Sequence, residues 1–405
     1  MKVLYFHQYF STPEGSAGIR SYQMAKSLVK QGHEVTVVCG SHRLATTGLS
    51  SPFVGGCRSG CIDGINVIEF EIPYSNHESL TKRSWIFLKF MTRSIMLSMT
   101  LGYDIVCCSS TPLTVGVPGV FARWLRRKPF VFEVRDLWPE LPRAMGVIRS
   151  PFVLLALSFL EWVCYRSAHR LIGLSPGIVE GIRKKGVSKE NVLLSPNGCD
   201  LDIFEANSFY WRPKEVSPTD FLAVFAGAHG HANGLNALLD AAVILKRRGQ
   251  KDIKIIMVGD GKLKPQLQER AKRCGLTNVI FHNPIEKEKL ARLMSASNLG
   301  LQILANVPEF YYGTSPNKFF DYIAAGLPVV VNYPGWLADL IEENNCGFVV
   351  PPNNPNALAD ALEGAMLNHS LLSEMSGRAK VLAKESFDRN QLADIWVDWV
   401  VGANK

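Results

Sequence analysis

The stretch Gly313-Thr314-Ser315-Pro316-Asn317-Lys318-Phe319-Phe320-Asp321-Tyr322-Ile323-Ala324-Ala325-Gly326-Leu327-Pro328, followed by Val329-Val330-Val331, reads as loop, helix, turn and strand. Ser315 is a good helix cap and Pro316 suits the first helical position. Phe319, Phe320 and Ile323 fall at helical spacing, and Gly326 with Pro328 stops the helix. The three valines begin a buried strand. One residue is out of place: Lys318 lies in the first turn, where the helix macrodipole disfavours a cation. An anion held at that N-terminus reverses the argument, because free backbone N–H groups and the ammonium then grip it together. A solvated surface lysine is the plainer alternative, at a cost of a few tenths of a kcal/mol. The surrounding sequence favours the anion.

Upstream of this stretch the same alternation repeats. Phe221–Ala226, Ile253–Val258, Val279–His282 and Leu299–Leu304 read as short buried strands, with helical periods through 235–245, 263–274 and 290–296. The N-terminal half has the same texture, with strands at 3–7, 34–39, 65–72, 104–109, 130–135, 170–175 and 191–195. Short Val/Ile/Leu-rich strands between helices indicate parallel, doubly wound sheets, whose ligands bind beyond the carboxyl ends of the strands. Residues 205–220 are polar, contain two prolines and show no period, so they read as a linker. A chain of 405 residues is long for one core. The expected architecture is therefore α/β, with two Rossmann-like domains facing across a cleft. The first spans 1–204 and the second 205–386. Residues 387–405 form a terminal helix, carrying Leu392, Ile395, Trp396 and Trp399, that crosses back to the first.

Glycine-bearing loops follow several strands. Thr12-Pro13-Glu14-Gly15-Ser16-Ala17-Gly18-Ile19-Arg20 follows the first, without the spacing of a dinucleotide fingerprint. Gly227-Ala228-His229-Gly230-His231-Ala232-Asn233-Gly234 and Gly259-Asp260-Gly261 follow strands of the second half. With the central stretch they would converge on one side of a sheet, as a phosphate-sized pocket lined by backbone N–H groups. His229 and His231 lack the further ligands of a zinc site, so hydrogen bonding to a ligand is the better reading. In the first half, Asp136 and Glu140 follow a strand's carboxyl end and are candidates for binding a hydroxyl.

The net charge is +8, and it is uneven: residues 1–200 hold 23 Lys+Arg against 14 Asp+Glu, whereas 201–405 hold 21 against 22. Lys82, Lys89 and Arg93 share one side of a helix that also carries Trp85, and Arg123, Arg126, Arg127 and Lys128 form a basic cluster. The helix opening at Ser150-Pro151 is apolar nearly all round. Such helices belong to a core or to an anionic interface; two of them in the basic half point to a peripheral membrane surface. No apolar run reaches the length of a membrane span. The start runs straight into a strand without a signal peptide, and nine scattered cysteines suit a reducing cytoplasm.

These residues together resemble glycosyltransferase family 4, a retaining family of the GT-B fold. The resemblance rests on Gly15–Gly18, Phe132-Glu133-Val134-Arg135-Asp136-Leu137-Trp138-Pro139-Glu140, Leu174-Ser175-Pro176-Gly177, Ser195-Pro196-Asn197-Gly198-Cys199-Asp200, the 227–234 loop and Ser315–Tyr322. It is most similar to the N-acetyl-fucosamine transferases of bacterial O-antigen and capsule synthesis. The resemblance implies retaining, metal-independent transfer from a nucleotide sugar, commonly UDP-linked; with the basic apolar helices, the expected reaction is transfer, without a cofactor, to a polyprenyl-linked saccharide at the cytoplasmic face of the cell membrane, with no nucleic acid as partner. The resemblance also implies a donor held mainly by the second domain and an acceptor by the first; with the residues read above, the expected donor site is Gly15, Gly18, Gly227, His229, Gly261, Ser315, Pro316, Asn317, Lys318 and Asp321. Asp136 and Glu140 would meet the acceptor, Lys82, Trp85, Lys89 and Arg93 the membrane, and Lys318, Asp136 and Arg20 would carry the chemistry. The chain departs from the family at Gly313, where a Glu is usual, and at Ala228 and Asn233, where an Arg and a Lys are usual. Lys318 is expected to take over their duty toward the diphosphate, and Asp321 to bind ribose hydroxyls. The alternatives are a UDP-sugar 2-epimerase on a related fold, which needs no membrane surface and so no basic apolar helices, and a non-catalytic nucleotide-sugar or nucleic-acid binder, which the charge fits but for which the sequence shows no interleaved aromatic platform or known binding motif.

Overall fold

A computed structural model describes residues 1–42, 45–75, 78–205 and 210–404. The chain divides into two compact units. One comprises Met1–Asn197, Tyr312–Ser315 and Asn390–Lys405; the other comprises Gly198–Tyr311 and Pro316–Arg389.

In the first unit the order is β1 (Lys2–Phe6), α1 (Arg20–Lys30), β2 (Glu34–His42), β3 (Cys57–Ile62), β4 (Ile65–Tyr74), α2 (Leu80–Thr100), β5 (Ile105–Ser109), α3 (Val117–Leu125), β6 (Phe130–Val134), α4 (Glu140–Ala144), α5 (Pro151–Ser167), β7 (Arg170–Gly173), α6 (Pro176–Lys184) and β8 (Val192–Leu194). Its sheet runs β3-β4-β2-β1-β5-β6-β7-β8, parallel except for β3. The strand alternation of β1 divides two cores: Leu4 and Phe6 join Val106, Phe130 and Phe132 on one face, whereas Val3 and Tyr5 join Val35, Ile105 and Val131 on the other. The chain winds outward from β1 and then returns to place β5 on its other side. The topological switch, where such sheets bind ligands, is therefore at the carboxyl ends of β1 and β5.

The second unit contains α7 (Leu201–Glu205), β9 (Phe221–Ala226), α8 (Asn236–Arg247), β10 (Ile253–Val258), α9 (Lys264–Arg273), β11 (Val279–His282), α10 (Lys287–Ser295), β12 (Leu299–Gln302), α11 (Pro308–Tyr312), α12 (Asn317–Ala324), β13 (Val329–Val331), α13 (Trp336–Glu343), β14 (Gly347–Val349), α14 (Pro355–Leu367) and α15 (His369–Ser386). All strands are parallel, in the order β11-β10-β9-β12-β13-β14, so the switch lies at β9 and β12. The final helix, α16 (Arg389–Val401), returns to the first unit from Asn390 onward. There Trp396, Val397 and Val400 are buried on the Val3/Tyr5 face of the sheet.

The unit boundary precedes the expected one. Cys199 N–H donates to Phe387 O at 2.7 Å, Arg389 N–H donates to Cys199 O at 3.1 Å, and the Arg389 guanidinium holds the Asp200 carboxylate. These bonds tie 198–205 to the second unit. Residues 206–209 of the expected linker lie outside the described residues. At the central stretch, α12 begins at Asn317 with Pro316 as its cap residue. Ser315 does not cap it: its hydroxyl accepts from Asn197 N–H at 3.1 Å, and its carbonyl accepts from the Asn197 amide, within the first unit.

Candidate active site

The carboxyl ends of β9 and β10 are fastened together by their loops. Gly227 N–H donates to Val258 O and His229 N–H to Asp260 O, each at 2.9 Å. Glycine is required at the contact: a Cβ on Gly259 would stand 1.9 Å from Gly227 O, and one on Gly261 would stand 2.7 Å from the His229 backbone. Leu263 N–H in turn donates to His229 O at 2.9 Å, which carries the loop into α9. The result is a pair of loops bonded to each other, with His229 buried against them.

His229 is fully buried, between the rings of Phe225 and Phe281. Burial and then the charge of Lys264 lower its pKa to about 4, so the imidazole is neutral. Neither ring nitrogen has a hydrogen-bond partner among the described residues, and the same holds for Asn317 Oδ1 at the start of α12. Buried polar groups are ordinarily paired, so these atoms are open to a polar partner.

Lys318 approaches from α12. Its Nζ donates to Asn233 Oδ1 at 2.9 Å and lies 4.6 Å from the centre of the Phe225 ring. The Asn233 amide donates to Ala228 O at 2.7 Å, so Asn233 clamps the loop to the lysine. Desolvation lowers the Lys318 pKa to about 7. A second lysine, which the sequence reading passed over, stands at the first position of α9. Lys264 donates to Gly259 O, His282 O and Asn283 Oδ1 at 2.8–3.0 Å, joining the loops after β10 and β11. The signal that singled out Lys318, a cation in a helix's first turn, was present there too. Lys318, the N-terminus of α12 and the neutral His229 gather beside the carboxyl end of β9, at the sheet's switch point, whereas the three N–H groups of Lys264 are all taken by its acceptors.

Asp321 is placed differently from expectation. Its carboxylate is buried and engaged by Lys287, which also lies 3.4 Å from Asp200, whose other partner is Arg389. A donor hydroxyl would have to displace Lys287 from it. Arg20 is likewise committed within the first unit. Its Nε and Nη2 donate to Glu133, Nη2 also to Ser195, and Nη1 to Pro196 O at 2.7 Å, all in the core. Every nitrogen is used, so Arg20 is a structural cation and not one available to a leaving group.

In the first unit, Gly15 and Gly18 lie on the loop between β1 and α1. Asp136 follows β6; Thr111 Oγ1 donates to it at 2.8 Å, and burial raises its pKa above the ordinary value. Glu140 is paired with Lys185 at 3.1 Å, together with buried Glu161. Of the membrane candidates, Trp85 is 68% exposed, Lys89 is exposed and Lys82 pairs with Glu78. Arg93 departs from the reading: it folds onto β3's turn, donating to Gly55 O and Gly56 O, with its guanidinium over the Phe70 ring. The larger apolar surface is on α5, where Phe152, Leu155, Phe159 and Trp162 are 82%, 70%, 63% and 50% exposed. Trp124 and Leu125 of neighbouring α3 are exposed as well.

Residues 15–198 match a family model described as a glycosyl transferase 4-like domain, and residues 209–381 match one described as glycosyl transferases group 1. An uncharacterized glycosyltransferase of Methanocaldococcus jannaschii is 22% identical, over 94% of this chain and 92% of its own length. The O-antigen chain mannosyltransferase C of Escherichia coli is 22% identical, over 56% of this chain and 59% of its own. The crystal structure of HepE from Anabaena in complex with UDP and glucose superposes with a TM-score of 0.71 at 17% identity, covering 99% of this chain and all of that one. Two Rossmann-like sheets and matches to both family domains identify the chain as a glycosyltransferase of the GT-B fold, with a glycosyl transferase 4-like domain followed by a group 1 domain.

Proposed function

We propose that this enzyme moves a sugar from a UDP-sugar to a polyprenyl-diphosphate-linked saccharide at an anionic membrane surface, in the assembly of a bacterial surface polysaccharide such as O-antigen or capsule. An N-acetylated deoxysugar such as N-acetyl-fucosamine is the donor sugar suggested by the resemblance. The observation that carries the donor reading is the Lys318–Asn233–His229 site, with its unpaired buried nitrogens. Breaking the sugar–phosphate bond builds negative charge on the departing diphosphate. Fixed positive groups, Lys318 and the N-terminus of α12, meet that charge without reorganising. His229 is available to hydrogen-bond the donor, and Asn317 Oδ1 to accept from one of its hydroxyls. In a retaining transfer the leaving diphosphate can take the acceptor's proton, which leaves Asp136 to orient the accepting hydroxyl. No metal or other cofactor enters this scheme.

The exposed apolar residues of α5 and α3, beside Arg123 and the basic cluster that follows α3, support the membrane part of the reading. On this view the protein works at the inner face of the cell membrane as a peripheral protein.

The test is to incubate the protein with a panel of UDP-sugars and membranes holding lipid-linked acceptors, and to follow label into lipid. Transfer with the donor's anomeric configuration kept is the expected result. Epimerised UDP-sugar without acceptor would replace this reading with an isomerase, and an inverted linkage would make Asp136 a general base.

A further inference from the structure

The switch point of the first unit carries polar groups that the transfer scheme above does not use. Arg135 follows β6, is only partly exposed, and its backbone N–H donates to Ser110 Oγ at 3.0 Å. Its Nη1 donates to His7 Nε2 at 2.9 Å, at the end of β1. That donation fixes the tautomer: Nε2 accepts, so the ring proton is on Nδ1 and is donated to Ser21 Oγ at 2.7 Å. Burial, and then the Arg135 charge, hold the His7 pKa well below its ordinary value, so the ring stays neutral. Ser21, His7 and Arg135 thus form a line of hydrogen bonds that aims one guanidinium.

The neighbouring carboxylates do not occupy it. Glu133 is engaged by Arg20, Ser109 and Trp396, and Asp136 accepts from Thr111. Among the described residues, Arg135 Nε and Nη2 have no hydrogen-bond partner and the residue makes no ion pair. Two adjacent free N–H groups on an oriented guanidinium match the two oxygens of a carboxylate or phosphate. Arg135 and Asp136 are consecutive, with Cα atoms about 3.8 Å apart, and each shifts the other's titration.

We propose that Arg135, held in place by His7, binds an anionic group of the acceptor close to the hydroxyl that Asp136 orients. The acceptor is then either a single sugar on a diphosphate or a saccharide ending in a uronic acid. This rests on the glycosyltransferase reading and narrows its acceptor.

The experiment uses the full chain with saturating UDP, which occupies the donor's diphosphate site, and titrates three probes by saturation-transfer NMR. They are N-acetylglucosaminyl citronellyl diphosphate, octyl glucuronide and neutral octyl N-acetylglucosaminide. At least one anionic probe should bind roughly 10- to 100-fold tighter than the neutral one, the scale of hydrogen bonds to a charged group. Arg135→Gln should erase that preference, Arg135→Lys should keep part of it, and His7→Phe should weaken it without changing neutral binding. Preference for the diphosphate alone identifies the glycosyl diphosphate, and preference for the glucuronide alone identifies the uronide. UDP affinity and thermal melting report whether each variant is folded. Equal binding of all three probes, or an equal loss for all three in Arg135→Gln, would overturn the proposal. Absence of UDP binding would count against the donor site instead; the probe comparison, repeated without UDP, still decides the anion question.

Discussion

Lys318 is a lysine whose burial works against its charge. With its folded pKa lowered to about 7 from 10.5, the cost of burying the ammonium is fully present below pH 7 and fades as pH rises toward 10.5. Lys318→Met should therefore stabilise the free protein more at pH 6 than at pH 10, which denaturant titrations at the two values would show. A bound diphosphate favours the charged form. UDP binding at pH 7.5–8 should then take up protons, read by calorimetry in buffers of different ionisation enthalpy, and Lys318→Met should abolish the uptake. The same variant should lower turnover by roughly 100-fold, with a smaller effect on donor affinity, because the charge peaks in the transition state. Near-normal turnover would remove Lys318 from the chemistry. The residue stood out in the sequence because it breaks a local rule, and the structure buries it against Asn233 and Phe225. Arg20 and Asp321 were misread because a sequence shows a charge but not its partner: Glu133 is 113 residues from Arg20, and Lys287 is 34 from Asp321.

At the scale of elements, two helices show what periodicity conveys and what it leaves open. The apolar spacing of α16 was plain, and so was its lack of a following strand; its contact with β6 was not. Trp396 is fully buried, and its Nε1–H donates to Glu133 at 2.9 Å. Trp396→Ala should cost about 3–5 kcal/mol in chemical denaturation. Burial alone would raise the Glu133 pKa, but Arg20, Arg135 and Ser109 carry it down to about 2. A depressed carboxylate stabilises the fold above its unfolded pKa, and that contribution is lost as pH falls toward 2. Trp396→Phe, which removes one of its donors, should move the acid-unfolding midpoint upward. Helix α5 looked apolar on every side, and packing decides which side is covered: Glu161, Cys164 and Tyr165 face inward, and the phenylalanines face out. Leu155→Ser with Phe159→Ser should abolish co-flotation with anionic vesicles while leaving UDP affinity and melting unchanged. Strand β3 was missed because Ser59, Gly60 and Cys61 are exposed and carry no apolar alternation; Asp63-Gly64, with φ of 49° and 81°, was the available hairpin signal.

At the scale of the molecule, both sheets were legible as parallel and doubly wound, because such a sheet needs only short apolar strands and helices between them, whereas the order of the strands came from the structure alone. The positive half of the sequence supplies most of the first unit, so high salt should weaken membrane binding without abolishing it, since screening acts on the charges and not on buried phenylalanine or leucine. The chain passes between the units four times, and the first unit includes residues as late as Trp396. For a protein made from its N-terminus onward, this sets a waiting time. Residues 198–389 must be synthesised before the last helix of the first unit exists, ~10–40 s at ~5–20 residues/s. Over that interval the Val3/Tyr5 face of a sheet that has all its strands is covered by α1 but lacks Trp396, Val397 and Val400, and the nascent chain is open there to proteases and to other apolar surfaces. Chains stalled on the ribosome before residue 389 should be cut within the first unit, and chains stalled once the tail has cleared the exit tunnel should resist.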